Sequence, residues 1–556
     1  MQAQDGARRV GIITAIEGWR LTGAVRTEPT GADAARSLAD AIPQYGTLVR
    51  MKAAGTAIYG LISKIWLRDG ASAPAGALAL FEVEILGEIV DTQDGKGQFR
   101  RGISAYPHIG AEILETPRDD IARVYALPGS ANVRIGTLHQ NPAQPVHVMV
   151  DQLLGRHFAV LGTTGSGKSC ATALILKAVL DTYSNGHVVI LDPHNEYARA
   201  FEGRVKVLDP VSLRLPYWLL NAEEAVAIFC SQDQATREYE MAILKDAILK
   251  GRREYSGARG TVRANVGHIT VDTPVPYFLS EVAATIEKSL GKLEKPGGAI
   301  PYQRLLARIE ALKADERFAF MFSRDPVDDT LADIVGTVLS LPVDGHPVTI
   351  IDLSGVPSEI VDVLVSLMCR MVFDFALWAS EPQAAPTLFV CEESHRYVPR
   401  DESLGFEPTR RAISRIAKEG RKYGVSLCLV SNRPSELSPT ILAQCNTFFA
   451  LRMSNQQDHD FVRSALPEGT SGLLGALPAL RPQEAIAVGE AVSLPLRLRF
   501  DELDEAHRPK STTAAFSRAW LNPDIGANFV RDTITRWRHQ RRGDHLLPPA
   551  AKTGTR

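Results

Sequence analysis

Few cysteines, no long uncharged apolar run and no excess charge of either sign characterise this chain, and each shortage removes a class of protein. The six cysteines, Cys170, Cys230, Cys369, Cys391, Cys428 and Cys445, form no CxxC pair and mostly lie in apolar runs. That argues against a disulfide scaffold or a thiolate metal site and for reduced core thiols. The most apolar long stretch, Val361 to Trp378, contains Asp362, Arg370 and Asp374, charges that a membrane span does not tolerate. The opening MQAQDGARRVGIITAIEG has neither the apolar stretch nor the small-residue cleavage site of a signal peptide. A soluble cytoplasmic protein without a membrane partner is therefore expected. Lys plus Arg number 62 and Asp plus Glu 64, a net charge of −2, so any attraction to nucleic acid has to be local. Internal repeats and low-complexity tracts are absent as well. What remains is a composition 45% hydrophobic and 23% charged, that of a globular protein. At roughly 150 residues per domain, 556 residues allow three or four folding units.

Residues 1–135 are rich in short β-type runs such as VGIITAI, YGTLVRMKA, AIYGLISKIW and ALFEVEILGEIV. Strands so closely spaced, without helical patterns between them, predict a small barrel. ISAYPHIGAEIL closes that unit and PGSANVRIGTLHQNPAQPVHVMV leads out of it. From about Phe158 the pattern changes. HFAVL, HVVILD, VTIIDLSG, TLFVCEE, SLCLVSN, TFFALRM and EAIAVG read as buried strands alternating with helices, hence an α/β parallel sheet covered on both faces. The core is assigned to 136–212 and 343–510. Between them, AEEAVAIFCSQDQATREYEMAILKDAILKGRREY and YQRLLARIEALKADERFAFMF read as helices, so 213–342 is taken as a helical insertion. The tail, 511–556, is locally basic, with seven Lys or Arg against two Asp from Arg531 onward.

The strongest chemical signal is Gly162-Thr163-Thr164-Gly165-Ser166-Gly167-Lys168-Ser169, directly after the strand HFAVL and directly before a helix that opens with Cys170. This is a G-x-x-x-x-G-K-S phosphate loop in its proper setting. Phosphate oxygens need several donors at short range, and a glycine-rich turn lets successive backbone N–H groups converge on them. Lys168 brings a positive charge toward the β- and γ-phosphates of ATP, and Ser169 a hydroxyl for Mg²⁺.

Such a site also needs an acid at a neighbouring strand end. Three strands end in acid, at Asp192, Asp352 and Glu392. The third is preferred because Glu392 is followed by Glu393: one carboxylate supports the hydrated Mg²⁺ while the next polarises the attacking water. Asp192 and Asp352 read more simply as strand-end turn formers, with the Asp192 turn DPHNEY also a candidate to face the nucleotide. Asn432 and Arg433 sit where the next strand ends, on the rim where parallel sheets hold ligands. Asn432 is either a γ-phosphate sensor or part of a plain turn. The helix RRAISRIAKEGRKYG carries Arg411, Arg415, Lys418, Arg421 and Lys422: a solvated basic face, a DNA-facing surface or the source of an arginine finger. His157, His194 and His395 lack metal-ligand spacing and read as rim or core residues.

Taken together, LGTTGSGKS, ILDPHNEY, TIIDLSG, VCEESHRYVP, RIAKEGRKYGV, LVSNRPSEL and IAVGEAVSLP resemble the HerA family, in the HerA/FtsK group of hexameric DNA translocases, over nearly the whole chain. The resemblance implies a RecA-like P-loop NTPase core with a helical insertion behind a small N-terminal β-barrel. It implies a homohexameric, Mg²⁺- and ATP-dependent motor on double-stranded DNA, with DNA-stimulated ATPase and helicase activity. The implied partner is a NurA-like nuclease in end resection for repair, or a sirtuin-like or other effector in antiphage defence. Carried onto this sequence, it makes Lys168 and Ser169 the phosphate and Mg²⁺ residues, Glu392 the Mg²⁺-supporting acid and Glu393 the catalytic glutamate. Arg156 and Arg421 become candidate inter-subunit fingers. Glu392 stands where many relatives have Asp, Asn432 where many have Gln, and Asn195 where Gly is usual. Two rivals share the motifs: a conjugation or type IV secretion ATPase, and a regulatory ATPase scaffold that assembles and activates a partner enzyme.

Overall fold

The structure, a computed structural model, describes residues 7–26, 42–53, 55–67, 77–90, 97–127, 129–209, 215–231, 233–259, 266–293, 298–322, 328–356, 358–381, 384–466, 471–510, 516–521 and 526–538. The basic residues of the tail beyond Arg538 lie outside these. The chain forms two compact units, one of Met1–Ser184, Glu393–Glu402 and Ser426–Glu505, the other of Asn185–Glu392, Ser403–Val425 and Ala506–Arg556.

The first unit begins with seven strands: β1 (Arg9–Glu17), β2 (Arg20–Arg26), β3 (Leu48–Ala53), β4 (Thr56–Leu67), β5 (Ala77–Val90), β6 (Phe99–Arg101) and β7 (Glu112–Glu115). They run in the order β2-β1-β7-β3-β4-β5-β6, and β2 also pairs with β5. Six strands thus close on themselves, with β6 added outside β5. Closure leaves those six no unpaired edge. Alternate residues point inward, and Val49, Met51, Ile58, Ile62, Phe81 and Val83 are fully buried in one core. Phe81 fills the centre. A Cβ at Gly23 would come within 2.4 Å of its ring, so only glycine allows β2 to pass there. The barrel expected from residues 1–135 is present.

Eleven further strands follow: β8 (Asn132–Leu138), β9 (Asn141–Met149), β10 (His157–Leu161), β11 (His187–Asp192), β12 (Val205–Leu208), β13 (Val348–Asp352), β14 (Thr387–Cys391), β15 (Val425–Ser431), β16 (Cys445–Ala450), β17 (Glu484–Gly489) and β18 (Leu496–Phe500). In the first unit they lie in the order β15-β10-β16-β17-β18-β8-β9. β10 runs parallel to both β15 and β16. From β16 to β9 every pairing is antiparallel, which corrects the reading of EAIAVG (β17) as another parallel strand. A six-residue turn joins β17 to β18, and parallel neighbours would need a crossover of a dozen residues or more. β8 and β9, taken as an exit from the barrel, are strands of this sheet. In the second unit β12-β13-β11-β14 are all parallel.

Strands β10 and β14 are buried at every residue, as parallel strands covered on both faces must be. Helix α1 (Lys168–Thr182) follows β10. In the second unit α2 (Ala222–Phe229), α3 (Gln234–Arg259), α4 (Leu279–Leu290) and α5 (Ile300–Ala314) occupy the segment assigned to the insertion. α3, α4 and α5 pack on one another through buried Leu244, Ile248, Val282, Ile286, Leu305 and Ile309. The charged apolar stretch becomes α6 (Ser358–Trp378). Among the described residues no helix is long and apolar enough to cross a membrane.

α6 carries its charges because they are paired. Arg370 Nη2 meets Glu224 Oε2 at 3.0 Å, and Ser366 Oγ donates to Glu224 Oε1 at 2.8 Å. Glu224 also receives the Asn221 N–H, in a reciprocal capping box that starts α2. One fully buried carboxylate therefore caps a helix and neutralises an arginine. Glu224→Ala is expected to destabilise the protein by about 3–5 kcal/mol, the cost of leaving a buried charge unpaired. Glu224→Gln, which keeps the cap acceptor, should cost less, and urea unfolding midpoints give the order.

Candidate active site

The phosphate loop is hung between two strand ends of the first unit. Gly162 N–H donates to Ser431 O at 3.3 Å, and Thr163 N–H to Arg452 O at 3.0 Å. The Thr163 hydroxyl reaches the same carbonyl at 3.0 Å. Gly165 and Gly167 have φ of 77° and 98°, values that favour glycine. A Cβ on Gly162 would stand 2.7 Å from Ser166 Oγ and 2.9 Å from Leu451 Cβ. No side chain caps the start of α1, whose positive end therefore adjoins the loop. Lys168 is buried and its Nζ donates to Thr163 O at 3.2 Å.

Glu393 and Asn432 come to this loop from two other segments of the same unit. Asn432 Nδ2 donates to Glu393 Oε1 at 2.9 Å and lies 3.4 Å from Thr164 Oγ1. The side chain that could have been part of a plain turn thus bridges the loop and the acid. Glu393 has φ 53° and ψ 42°, the left-handed region, and starts the short turn Ser394–Arg396. Its Oε2 is 3.3 Å from His395 Nδ1. Burial pulls the His395 pKa down, against the opposing pull of the Glu393 carboxylate, so the imidazole is neutral near pH 7.

In the second unit the acids divide their work. Glu392 is buried and accepts a 2.6 Å hydrogen bond from Tyr197 Oη. Asp192 accepts three backbone N–H groups, from His194 at 3.2 Å, Glu196 at 2.8 Å and Tyr197 at 3.0 Å. Burial raises its pKa, and those three donors work against the rise. Asp352 accepts from Ser354 N–H at 2.9 Å. Both aspartates are turn formers, and the Asp192 turn holds the tyrosine that holds Glu392. Within that turn Asn195 has φ 54°. Asparagine tolerates this conformation better than other residues with a side chain, which explains how it replaces glycine.

Sequence reasoning missed Tyr197 and His395 as partners of the two glutamates. The available signals were a tyrosine five residues past a strand-end aspartate and a histidine two past a glutamate, neither informative without the turns. Arg156 precedes β10, so it lies at the strand end opposite the loop, and its Nη1 meets Glu490 Oε1 at 2.6 Å. Arg421 is exposed, in the Gly420–Tyr423 turn of the second unit. It follows α7 (Glu407–Glu419), where two of the basic residues are already engaged. Arg411 meets Glu223 and Glu407 at 2.7 and 2.6 Å. Arg415 meets Asp374 at 3.2 Å and covers the Phe373 ring at 4.3 Å. His157 is a core residue that accepts from Leu427 N–H at 2.9 Å. Cys170 is exposed, and the other five cysteines are buried thiols.

The residues present fit a nucleotide. The loop glycines leave the cradle bare, and buried polar atoms beside it, Ser166 Oγ and Asn432 Oδ1 among them, have no hydrogen-bond partner among the described residues. Also among the described residues, no three His, Cys, Asp or Glu side chains gather as a protein cage for a metal. Mg²⁺ binds through few protein ligands and keeps water and phosphate oxygens. The Ser169 hydroxyl is a donor of that kind.

Residues 133–372 match the family model described as the central domain of helicase HerA. The match includes the phosphate loop, Asp192 and Asp352, and ends before Glu392. Over 473 residues the chain is 26% identical to the DNA double-strand break repair helicase HerA of Pyrococcus furiosus, covering 78% of this chain and 79% of that protein. It is 26% identical over 399 residues to the protein of the same description from Saccharolobus solfataricus, with 71% and 73% covered. Among solved structures, VirB4 of Thermoanaerobacter pseudethanolicus is 16% identical, with 68% of this chain and 98% of that chain covered and a TM-score of 0.46.

Proposed function

The chain belongs to the HerA family, and on that premise we propose that it is a ring-forming motor that hydrolyses Mg·ATP to translocate or unwind double-stranded DNA. One observation supports the chemistry above the rest: Asn432 touches both Thr164 of the phosphate loop and Glu393, so an acid and an amide stand beside the phosphate cradle. In this reading the loop N–H groups and Lys168 hold the β- and γ-phosphates. Ser169 and Glu392 would hold Mg²⁺, which when bound neutralises phosphate charge. Glu393 takes the proton of the attacking water at a carboxylate oxygen, and Asn432 orients that water or the γ-phosphate. The motor works in the cytoplasm as a homohexamer. Its partner is an effector enzyme, a NurA-like nuclease or a sirtuin-like protein, in DNA end repair or antiphage defence. Co-purification with the product of the neighbouring gene tests that pairing.

Glu393→Gln should abolish steady-state ATP hydrolysis and leave nucleotide binding intact, because the amide cannot act as a base while the cradle remains. Lys168→Ala should instead weaken binding of a fluorescent ATP analogue by about tenfold or more. Normal turnover in Glu393→Gln would shift the catalytic role to Asp192 or Asp352.

Linear duplex DNA should stimulate turnover with little sequence preference, and its binding should weaken steeply with salt, since the contacts would be mainly to phosphate. A turnover indifferent to DNA from low to moderate salt would favour the regulatory scaffold.

Charge developing on a γ-phosphate is commonly met by a cation from outside the site, and a head-to-tail ring places a neighbour's arginine within reach. Arg156 is already paired with Glu490, so Arg421 is the simpler finger. Arg421→Ala should lower turnover sharply while the subunit folds and binds ATP. Mixed with Lys168→Ala subunits, it should regain activity at interfaces that pair an intact loop with an intact finger. A fully active monomer would rule out the ring, and absence of rescue would place the arginine in its own subunit's site. The same mixture made with Arg156→Ala separates the two candidates.

A further inference from the structure

Three consecutive residues at the end of β15 grip three consecutive residues of the turn that follows Glu392. Val430 O accepts from Ser394 Oγ at 3.0 Å. Ser431 Oγ lies 3.3 Å from His395 Nδ1. Asn432 Nδ2 donates to Glu393 Oε1 at 2.9 Å. His395 Nδ1 is also 3.3 Å from Glu393 Oε2, so the two carboxylate oxygens are approached from two sides by two different side chains. An ionised carboxylate only accepts hydrogen bonds. A carboxylate oxygen so close to Nδ1 favours the tautomer with the proton there, donated to Ser431 Oγ, with Glu393 Oε2 beside it in electrostatic contact. Ser431 Oγ in turn accepts the Arg433 N–H at 3.1 Å, which fixes its own position.

We propose that His395 is a positioning residue for the catalytic glutamate: its Nδ1–H, anchored on Ser431 Oγ, stands 3.3 Å from Glu393 Oε2 and attracts that oxygen, while the Asn432 amide holds Oε1. One hold alone would leave the carboxylate free to turn about its last torsion, which has a broad, roughly two-fold profile. The Asn432 hydrogen bond and the attraction of the nearby Nδ1–H together restrict its plane. General-base catalysis is steep in this respect, since a misplacement of about 1 Å can cost on the order of a hundredfold in rate. The left-handed backbone at Glu393 adds to the need, because such a conformation persists only where the surrounding structure over-determines it. Burial keeps the imidazole neutral, so it positions the base without neutralising it. The other charged groups acting on His395 are Glu436, Arg433 and Arg396.

The proposal rests on the reading of Glu393 as the group that takes water's proton, and the test separates the two. In the full-length protein, His395→Leu should lower kcat for ATP about 10- to 100-fold while nucleotide affinity, read with a fluorescent ATP analogue, stays within about threefold. His395→Asn keeps a donor near the Nδ1 position and should recover turnover to within about fivefold of the wild type. In a Glu393→Gln background His395→Leu should add no further loss, since there is no base left to position. Wild-type turnover in His395→Leu, or an asparagine variant no better than leucine, would overturn the proposal. Loss of nucleotide binding in both variants would overturn it too, in favour of a purely structural histidine. If leucine alone loses binding, the asparagine variant decides: turnover within fivefold supports the proposal and a larger loss overturns it. Normal turnover in Glu393→Gln defeats the underlying assignment, whatever His395 does.

Discussion

The active-site half of the first unit depends on holding Glu393 in a backbone conformation it would not choose. A left-handed residue with a long side chain costs about 1–3 kcal/mol. That cost is offset by the end of β15, whose carbonyl, hydroxyl and amide meet the turn one after another. The same strand end also receives Gly162 at the start of the phosphate loop. One short piece of backbone, Val430 to Asn432, therefore fixes both the cradle and the acid. Their relative geometry is set by this shared template.

The neighbouring carboxylates Glu392 and Glu393 illustrate how environment assigns roles. Glu392 is buried and receives a short phenolic hydrogen bond from Tyr197, which in turn is seated by the three N–H groups converging on Asp192. Glu393 accepts the Asn432 amide at Oε1 and has the neutral His395 imidazole 3.3 Å from Oε2. A phenol that fixes a carboxylate suits a structural or metal-supporting role. An amide and an imidazole that steer one suit a group that must accept a proton.

Much of this was legible in the sequence. The phosphate loop announced itself because its chemistry needs fixed letters between a strand and a helix, and the strand runs from HFAVL to EAIAVG stood out because buried strands are continuously apolar. Direction was less legible: a strand buried on both faces looks the same whether its neighbour is parallel or antiparallel, and only the six-residue turn after EAIAVG betrays β17. The pairing of Glu392 and Glu393 with a strand end could be read, yet their partners could not. Tyr197 lies 195 positions from Glu392, and no local pattern reports a contact across that separation. His395 was visible but had no metal-ligand spacing, so it read as a rim or core residue; its meaning comes from a left-handed turn that sequence does not display.

The loop between β17 and β18 shows how far the barrel reaches into the site's scaffolding. Arg101, at the end of β6, donates to the carbonyls of Gly489, Val492 and Ser493 at 3.0, 2.7 and 2.8 Å. Glu490, between them, accepts from Arg156 at 2.6 Å and from Asn446 Nδ2 at 3.1 Å. Gly489 has φ 132°, and a Cβ there would stand 2.1 Å from Asn446 O, so the close approach requires glycine. The barrel, the foot of the strand that carries the phosphate loop, and the start of β16 are thus tied at one loop, on the strand end away from the nucleotide cradle. Two arginines share one glutamate and three carbonyls there, so moving either arginine changes the charge balance felt by the other. That arrangement gives Arg156 a structural partner, Glu490, at the foot of β10.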